Sequence, residues 1–200
     1  MKTLAVFGGT FNPFHIGHEQ MLKAVCELDW VDKVLLIPSK IPPHKEVNFL
    51  ASDEHRLNMC RLISDKYKKV TVSDIEITRE GKSYTVDTLS CLSEMYPKHK
   101  LALCVGGDMI TSFTSWKEYK NILASSELIA FSRFGTEKDD FYNEISSLRA
   151  DGAKIYIMDT VVEDISSTFI RNNINDRSVC EKYIPQKVLD YIFEKKVYND

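Results

Sequence analysis

The stretch Gly8-Gly9-Thr10-Phe11-Asn12-Pro13-Phe14-His15-Ile16-Gly17-His18 follows a short apolar run at 4–7 and leads into a helical pattern in which Met21, Leu22, Val25 and Cys26 share one face. Strand, glycine turn and helix in that order form the opening unit of an α/β fold. Glycines at such a turn let the backbone approach a ligand closely, and the helix N-terminus adds free N–H groups and a positive dipole end. In a doubly wound sheet this turn lies at the carboxyl edge, where ligands collect. His15 and His18 share the opening helical turn, so both imidazoles face the same space. There they can donate to phosphate oxygens, as neutral rings or as cations. Taken alone, the stretch also suits a tight turn with surface histidines. A metal site is disfavoured, because no Cys, Asp or Glu at ligand spacing completes the set. Nor is it a Walker loop or a GxGxxG fingerprint.

Farther along, apolar runs at 34–37, 101–105, 128–131 and 155–158 are mostly uninterrupted, as strands buried on both faces are. Val70, Val72, Ile75 and Ile77 nearly alternate with polar residues, which places that strand nearer an edge. Between the runs the period turns helical, in Met59, Cys60, Ile63 and Tyr67 and again in Phe141, Ile145 and Leu148. Pro185 precedes Val188, Leu189 and Ile192 as a first-turn proline would. This alternation predicts an α/β fold with a doubly wound, mostly parallel sheet. One domain over 1–200 is expected, with the helical segment 166–200 packed on it. The irregular stretch 38–51, rich in proline and lysine, is long enough to suggest a function of its own.

Composition narrows the classes. The 200 residues are 44% hydrophobic and 28% charged, with mean hydropathy −0.23, which excludes disorder and collagen-like chains. Lys plus Arg number 26 against 29 Asp plus Glu, a net charge of −3. No global basic field therefore draws the chain to nucleic acid or anionic lipid. Five cysteines lack any CxxC pairing, and no apolar run approaches the roughly 20 residues of a membrane span. A reduced, cytoplasmic chain without a signal peptide or membrane segment is expected.

The glycine-rich stretch resembles the GxFxPxHxGH signature of the HxGH nucleotidyltransferase superfamily, and Ser166-Ser167-Thr168-Phe169-Ile170-Arg171 resembles the SSTxIR motif of its adenylyltransferase branch. Between them lie Pro42-Pro43-His44-Lys45, Asp53-Glu54-His55-Arg56, Tyr84-Thr85-Val86-Asp87-Thr88, and Gly106-Gly107-Asp108 followed by Trp116. Together, over nearly the whole chain, these resemble the bacterial nicotinate-mononucleotide adenylyltransferases. The resemblance implies a Rossmann-like three-layer αβα fold and an ATP-dependent transfer of AMP to nicotinate mononucleotide. The products would be deamido-NAD and pyrophosphate, in NAD biosynthesis. It further implies Mg²⁺ with ATP, small-molecule substrates only, no nucleic acid and no membrane.

Carried over residue by residue, the resemblance assigns His15, His18 and Arg171 to catalysis at the triphosphate. Gly8, Gly9, Thr10, Phe11, Lys45, Gly106, Asp108, Arg133, Ser167 and Thr168 fall to ATP, and Tyr84, Thr85, Thr88, Trp116 and Lys117 to the acceptor. No residue is assigned to metal. Plainer readings stand beside these. Ser166–Arg171 also reads as a helix cap with a surface arginine, and His44 and Lys45 as solvated loop. Asp108 also reads as a helix cap, and Trp116 and Tyr84 as packing aromatics. Arg56 reads equally as structural or as a phosphate anchor. The sequence departs from the family at Asn12, where many relatives carry Asp, and at Phe134, where proline is common. Lys117 offers a pyridine site only its backbone N–H.

Three other functions share these motifs: a sister adenylyltransferase for nicotinamide mononucleotide, FMN or phosphopantetheine, a class I aminoacyl-tRNA synthetase fragment, and a non-catalytic nucleotide sensor. The synthetase lacks support because no KMSKS-like segment follows.

Overall fold

Runs that are apolar on both sides need cover on both sides, and each becomes a strand of one parallel sheet. The computed structural model describes residues 1–41, 49–132, 138–158, 160 and 162–198. Its strands are β1 (Lys2–Gly9), β2 (Lys33–Pro38), β3 (Val70–Val72), β4 (His99–Gly106), β5 (Ser126–Phe131) and β6 (Ile155–Met158). They lie in the order β3-β2-β1-β4-β5-β6, and every pairing is parallel. The chain starts in the middle, winds out through β2 and β3, then returns to wind the other way. The order reverses between β1 and β4, and ligands of such sheets bind there, outside the carboxyl ends of the strands.

The helices are α1 (Ile16–Glu27), α2 (Asp53–Ser64), α3 (Thr85–Met95), α4 (Gly107–Ile110), α5 (Tyr119–Ser125), α6 (Lys138–Ala150), α7 (Ser167–Asn172), α8 (Arg177–Tyr183) and α9 (Gln186–Glu194). Side-chain alternation along the strands divides the core in two. Ala5, Phe7, Val34, Leu36 and Cys104 face a layer that includes Leu22, Met59, Ile170, Cys180, Val188 and Leu189. Leu4, Val6, Leu35, Ile37 and Leu103 face Leu89, Ile122, Phe141, Ile145 and Leu148 on the other side. The result is the three-layer αβα, Rossmann-like arrangement. Each fully buried aliphatic side chain contributes roughly 1.5–3 kcal/mol, so Ile170, Val188, Leu189 and Ile192 anchor the C-terminal helices firmly.

Two local readings change. The alternating pattern through Ile77 is not one strand: β3 lies at the sheet edge as expected but ends at Val72. The Ser73 N–H makes its last ladder bond, to the Leu36 carbonyl, and Thr78 N–H then closes a turn onto the Asp74 carbonyl. That turn carries Glu76 inward, where it is buried. Pro185 is the N-cap of α9 rather than its first helical residue, and its carbonyl accepts the N–H groups of Val188 and Leu189. All five thiols are free. No helix among the described residues is long and apolar enough to cross a membrane.

Candidate active site

At the end of β1 the chain leaves the sheet beneath a packed aromatic. Phe11 adopts a left-handed backbone (φ 48) and tucks its ring among Phe7, Phe14 and His18. A Cβ at Gly9 would lie 2.8 Å from that ring, so glycine is required there. A Cβ at Gly8 would meet nothing within 4 Å, and the room it leaves belongs to a cavity of about 480 Å³. That volume suits a small-molecule ligand.

His15 caps α1 in an unusual way. Its Nδ1 accepts the His18 N–H at 3.4 Å, while Nδ1 of His18 accepts the His15 N–H at 3.2 Å. Imidazoles thus play both parts of a capping box. A ring whose Nδ1 accepts carries its proton on Nε2 in the neutral form, so the cap sets the tautomer of both. The rings stack at 3.5 Å with 23° between planes, and both line the cavity.

The second motif closes on the first. A Cβ at Gly17 would come within 3.1 Å of the Glu163 carbonyl, so glycine lets the segment before α7 cross the first turn of α1. Ser166 caps α7 by accepting the Phe169 N–H at 3.1 Å. The Ser167 hydroxyl donates to the Pro13 carbonyl at 3.0 Å. Arg171 Nη1 donates to the Asn12 carbonyl at 2.8 Å, and Nη2 to the Thr168 hydroxyl at 3.1 Å. Partial burial pushes the Arg171 guanidinium below its usual pKa, though arginine stays charged. Ser167, Thr168 and Arg171 line the same cavity as the histidines. Two stacked imidazoles, a helix N-terminus and a fixed guanidinium together suit a polyanion.

Thr10 joins this wall through Arg56, which is fully buried and uses all five donors. Nε binds the Ala51 carbonyl at 3.2 Å, Nη1 the Thr10 carbonyl at 3.1 Å and the Ser39 carbonyl, and Nη2 the Lys40 carbonyl at 3.5 Å and the Asp53 carboxylate. Of its two readings the structural one therefore holds. Across the cavity, β4 ends in Gly106, the N-cap of α4, with exposed Asp108 in its first turn. Both line the cavity.

Of the residues the resemblance assigns to the acceptor, Thr85 and Trp116 line the cavity, and Trp116 is half-buried and stacked on Phe113 at 4.8 Å. Tyr84, Thr88 and Lys117 lie outside its lining. The Thr88 hydroxyl donates to Glu76 Oε1 at 2.7 Å. Lys117 Nζ sits 4.6 Å from the Tyr84 ring centroid and 3.4 Å from Asp87 Oδ1. Lys45 and Arg133, like Pro42, Pro43, His44 and Phe134, fall outside the described residues.

Several lining residues escaped the sequence reading, the polar ones being Ser39, Glu76, Ser83, Ser132 and Glu163. Ser83 stands directly before the quoted Tyr84 segment, and Ser39 directly after the apolar run of β2. Glu76 looked like the polar position of an alternating strand and carried no signal. Burial pushes its carboxyl above the usual range, against the opposing pull of Thr88, Ser83 and Arg79. Among the described residues no group of three or more His, Cys, Asp or Glu is placed to hold a metal ion.

Comparison with known proteins agrees in scale and place. The profile of a family described as Cytidylyltransferase-like matches residues 6–173. A Carboxydothermus hydrogenoformans protein named "Probable nicotinate-nucleotide adenylyltransferase" is 35% identical over 197 residues, 98% of each chain. One of the same name from Fusobacterium nucleatum is 39% identical over 198 residues, 98% of this chain and 99% of its own. Among solved structures, Plasmodium falciparum nicotinic acid mononucleotide adenylyltransferase complexed with NaAD matches with TM-score 0.82 at 23% identity, covering 100% of this chain and 98% of that one. At that identity the likeness bears on the fold alone.

Proposed function

We infer the chemistry from one premise: this chain belongs to the cytidylyltransferase-like family and, within it, to the nicotinate-nucleotide adenylyltransferases. The reaction is transfer of AMP from ATP to nicotinate mononucleotide. A phosphate oxygen of the acceptor bonds to the α-phosphorus, the bond from that phosphorus to the β-bridging oxygen breaks, and pyrophosphate leaves with the electron pair. A phosphate monoester has a second pKa of about 6, so at neutral pH the nucleophile is already largely dianionic. No general base and no covalent intermediate are needed. The protein's task is to align two anions and neutralise the charge that develops on the leaving group.

One observation carries this reading: His15, His18 and Arg171, from opposite ends of the chain, line one cavity at the reversal point of the sheet. The histidines and Arg171 would hold the triphosphate, helped by the backbone at Gly8–Phe11 and by Ser167 and Thr168 at the start of α7. Lys45 and Arg133 are assigned to ATP by their motifs. Asp108 beside Gly106 would accept from a ribose hydroxyl. ATP enters as its Mg²⁺ complex, the ion being carried on the triphosphate as part of the substrate.

For the acceptor, Trp116 offers an indole face to the cationic pyridine ring, worth roughly 1–2 kcal/mol when desolvated. No side chain caps α3 among the described residues, so its first-turn N–H groups beside Thr85 suit the nicotinate carboxylate. Tyr84, Thr88 and Lys117 would act from behind that wall, Thr88 by holding Glu76. The chain would work as one nucleotidyltransferase domain with 166–200 packed on it, in the reducing cytoplasm that five free thiols suit.

The test is pyrophosphate release with Mg-ATP, comparing nicotinate mononucleotide with its amide at matched concentrations. A strong preference for the acid is expected. Preference for the amide would reassign the acceptor pocket, and no release with either would overturn the reading.

A further inference from the structure

We infer that Tyr198 is a positioning residue for Arg171, acting through the side chain of Asn12. Asn12 is 1% exposed, and every polar atom of its side chain is occupied. Its Oδ1 accepts the Ala51 N–H at 3.1 Å and the Tyr198 hydroxyl at 2.8 Å, while Nδ2 donates to the Phe49 carbonyl at 2.9 Å. The backbone carbonyl of the same residue is the one on which Arg171 Nη1 rests at 2.8 Å. Asn12 is therefore a junction, tied on one side to residues 49–51 and on the other to a residue just beyond α9. Arg171 takes its bearing from that junction.

Tyr198 is itself held in place. Val197 N–H returns to the Ile192 carbonyl at 3.0 Å, and Val197 and Tyr198 both pack against the core layer of α1 and α2. Burial pushes its hydroxyl pKa up, with the nearby charges of Arg171 and Arg56 pulling the other way. The hydroxyl stays protonated, as a donor to Asn12 Oδ1 must. A guanidinium with one nitrogen on Asn12 and another on Thr168 has its plane set by both. Slack at Asn12 passes directly into that plane, and small misplacements of a charged donor are costly in a preorganised site.

This assignment rests on Arg171 as a phosphate-holding group. Tyr198→Phe removes one hydroxyl and keeps the ring. Made in the full chain, it is expected to lower kcat/KM for ATP about 3- to 10-fold, the scale of one buried hydrogen bond. KM for the acceptor should stay unchanged. Affinity for a non-hydrolysable ATP analogue, measured by calorimetry, should fall in parallel. In an Arg171→Lys background the same change should add less than about twofold, because coupled residues are non-additive. An equal loss in both backgrounds would mark Tyr198 as merely structural and overturn the inference, as would no loss in the native background. If the protein turned nothing over, the proposed reaction would fail, and the calorimetric pair would still decide the coupling by the same criterion.

Discussion

Replacing Arg56 with Met deletes a guanidinium that is 0% exposed while keeping the apolar stem. The carbonyls of Ser39 and Ala51 lose a charged donor in buried contacts, and the part-buried carbonyl of Thr10 loses one at the cavity wall. The Lys40 contact is long at 3.5 Å, and the Asp53 side chain is 39% exposed, so these two recover solvation and contribute little. Stranded buried acceptors cost about 1–3 kcal/mol each. The desolvation cost of the arginine itself disappears with it. The balance is a loss of about 3–4 kcal/mol, which for a chain of this size lowers Tm by roughly 10 °C. Urea unfolding followed by far-UV circular dichroism measures it, with Tm as a second reading. A loss below about 1 kcal/mol at unchanged m-value would refute the reasoning. So would a selective rise in KM for ATP at full stability, which would make Arg56 a phosphate anchor after all.

His18→Ala removes a donor from the triphosphate wall and half of the reciprocal cap, so turnover should fall at least about tenfold, and an unchanged rate in the pyrophosphate assay would count against its role. Trp116→Ala should chiefly raise KM for nicotinate mononucleotide. A change confined to the KM for ATP would put the indole on the wrong substrate. Glu76 has a pKa raised by burial, so the folded state binds its proton more tightly than the unfolded chain does. Its contribution is complete below the ordinary glutamate pKa and is lost as pH rises from there through the raised value. Tm of the native protein should accordingly fall relative to Glu76→Gln across that window. Parallel Tm curves for the two proteins would show that Glu76 titrates normally.

The sequence alone determined the fold class, the places of the strands and the helices α1, α2, α6 and α9. Apolar runs such as 101–105 suit strands of a covered parallel sheet, and the stripe of Met59, Cys60 and Ile63 suits a helix packed against it. These are local periodicities, readable without knowing what lies opposite. His15 and His18 stood out because they share the opening turn of α1, whereas the Ser166–Arg171 segment stood out only through its resemblance to a family motif. Partners distant in sequence leave no such mark. Glu76 lies in the cavity because β3 ends two residues after it begins and the chain turns inward. Arg56 is structural because four carbonyls from three separate segments converge on it. Asn12 meets Tyr198 across 186 positions. Nor does any periodicity say that Thr88 spends its hydroxyl on Glu76. Those assignments depend on which groups the fold brings within hydrogen-bonding reach, and burial then makes each such contact obligatory, so only the tertiary structure decides them.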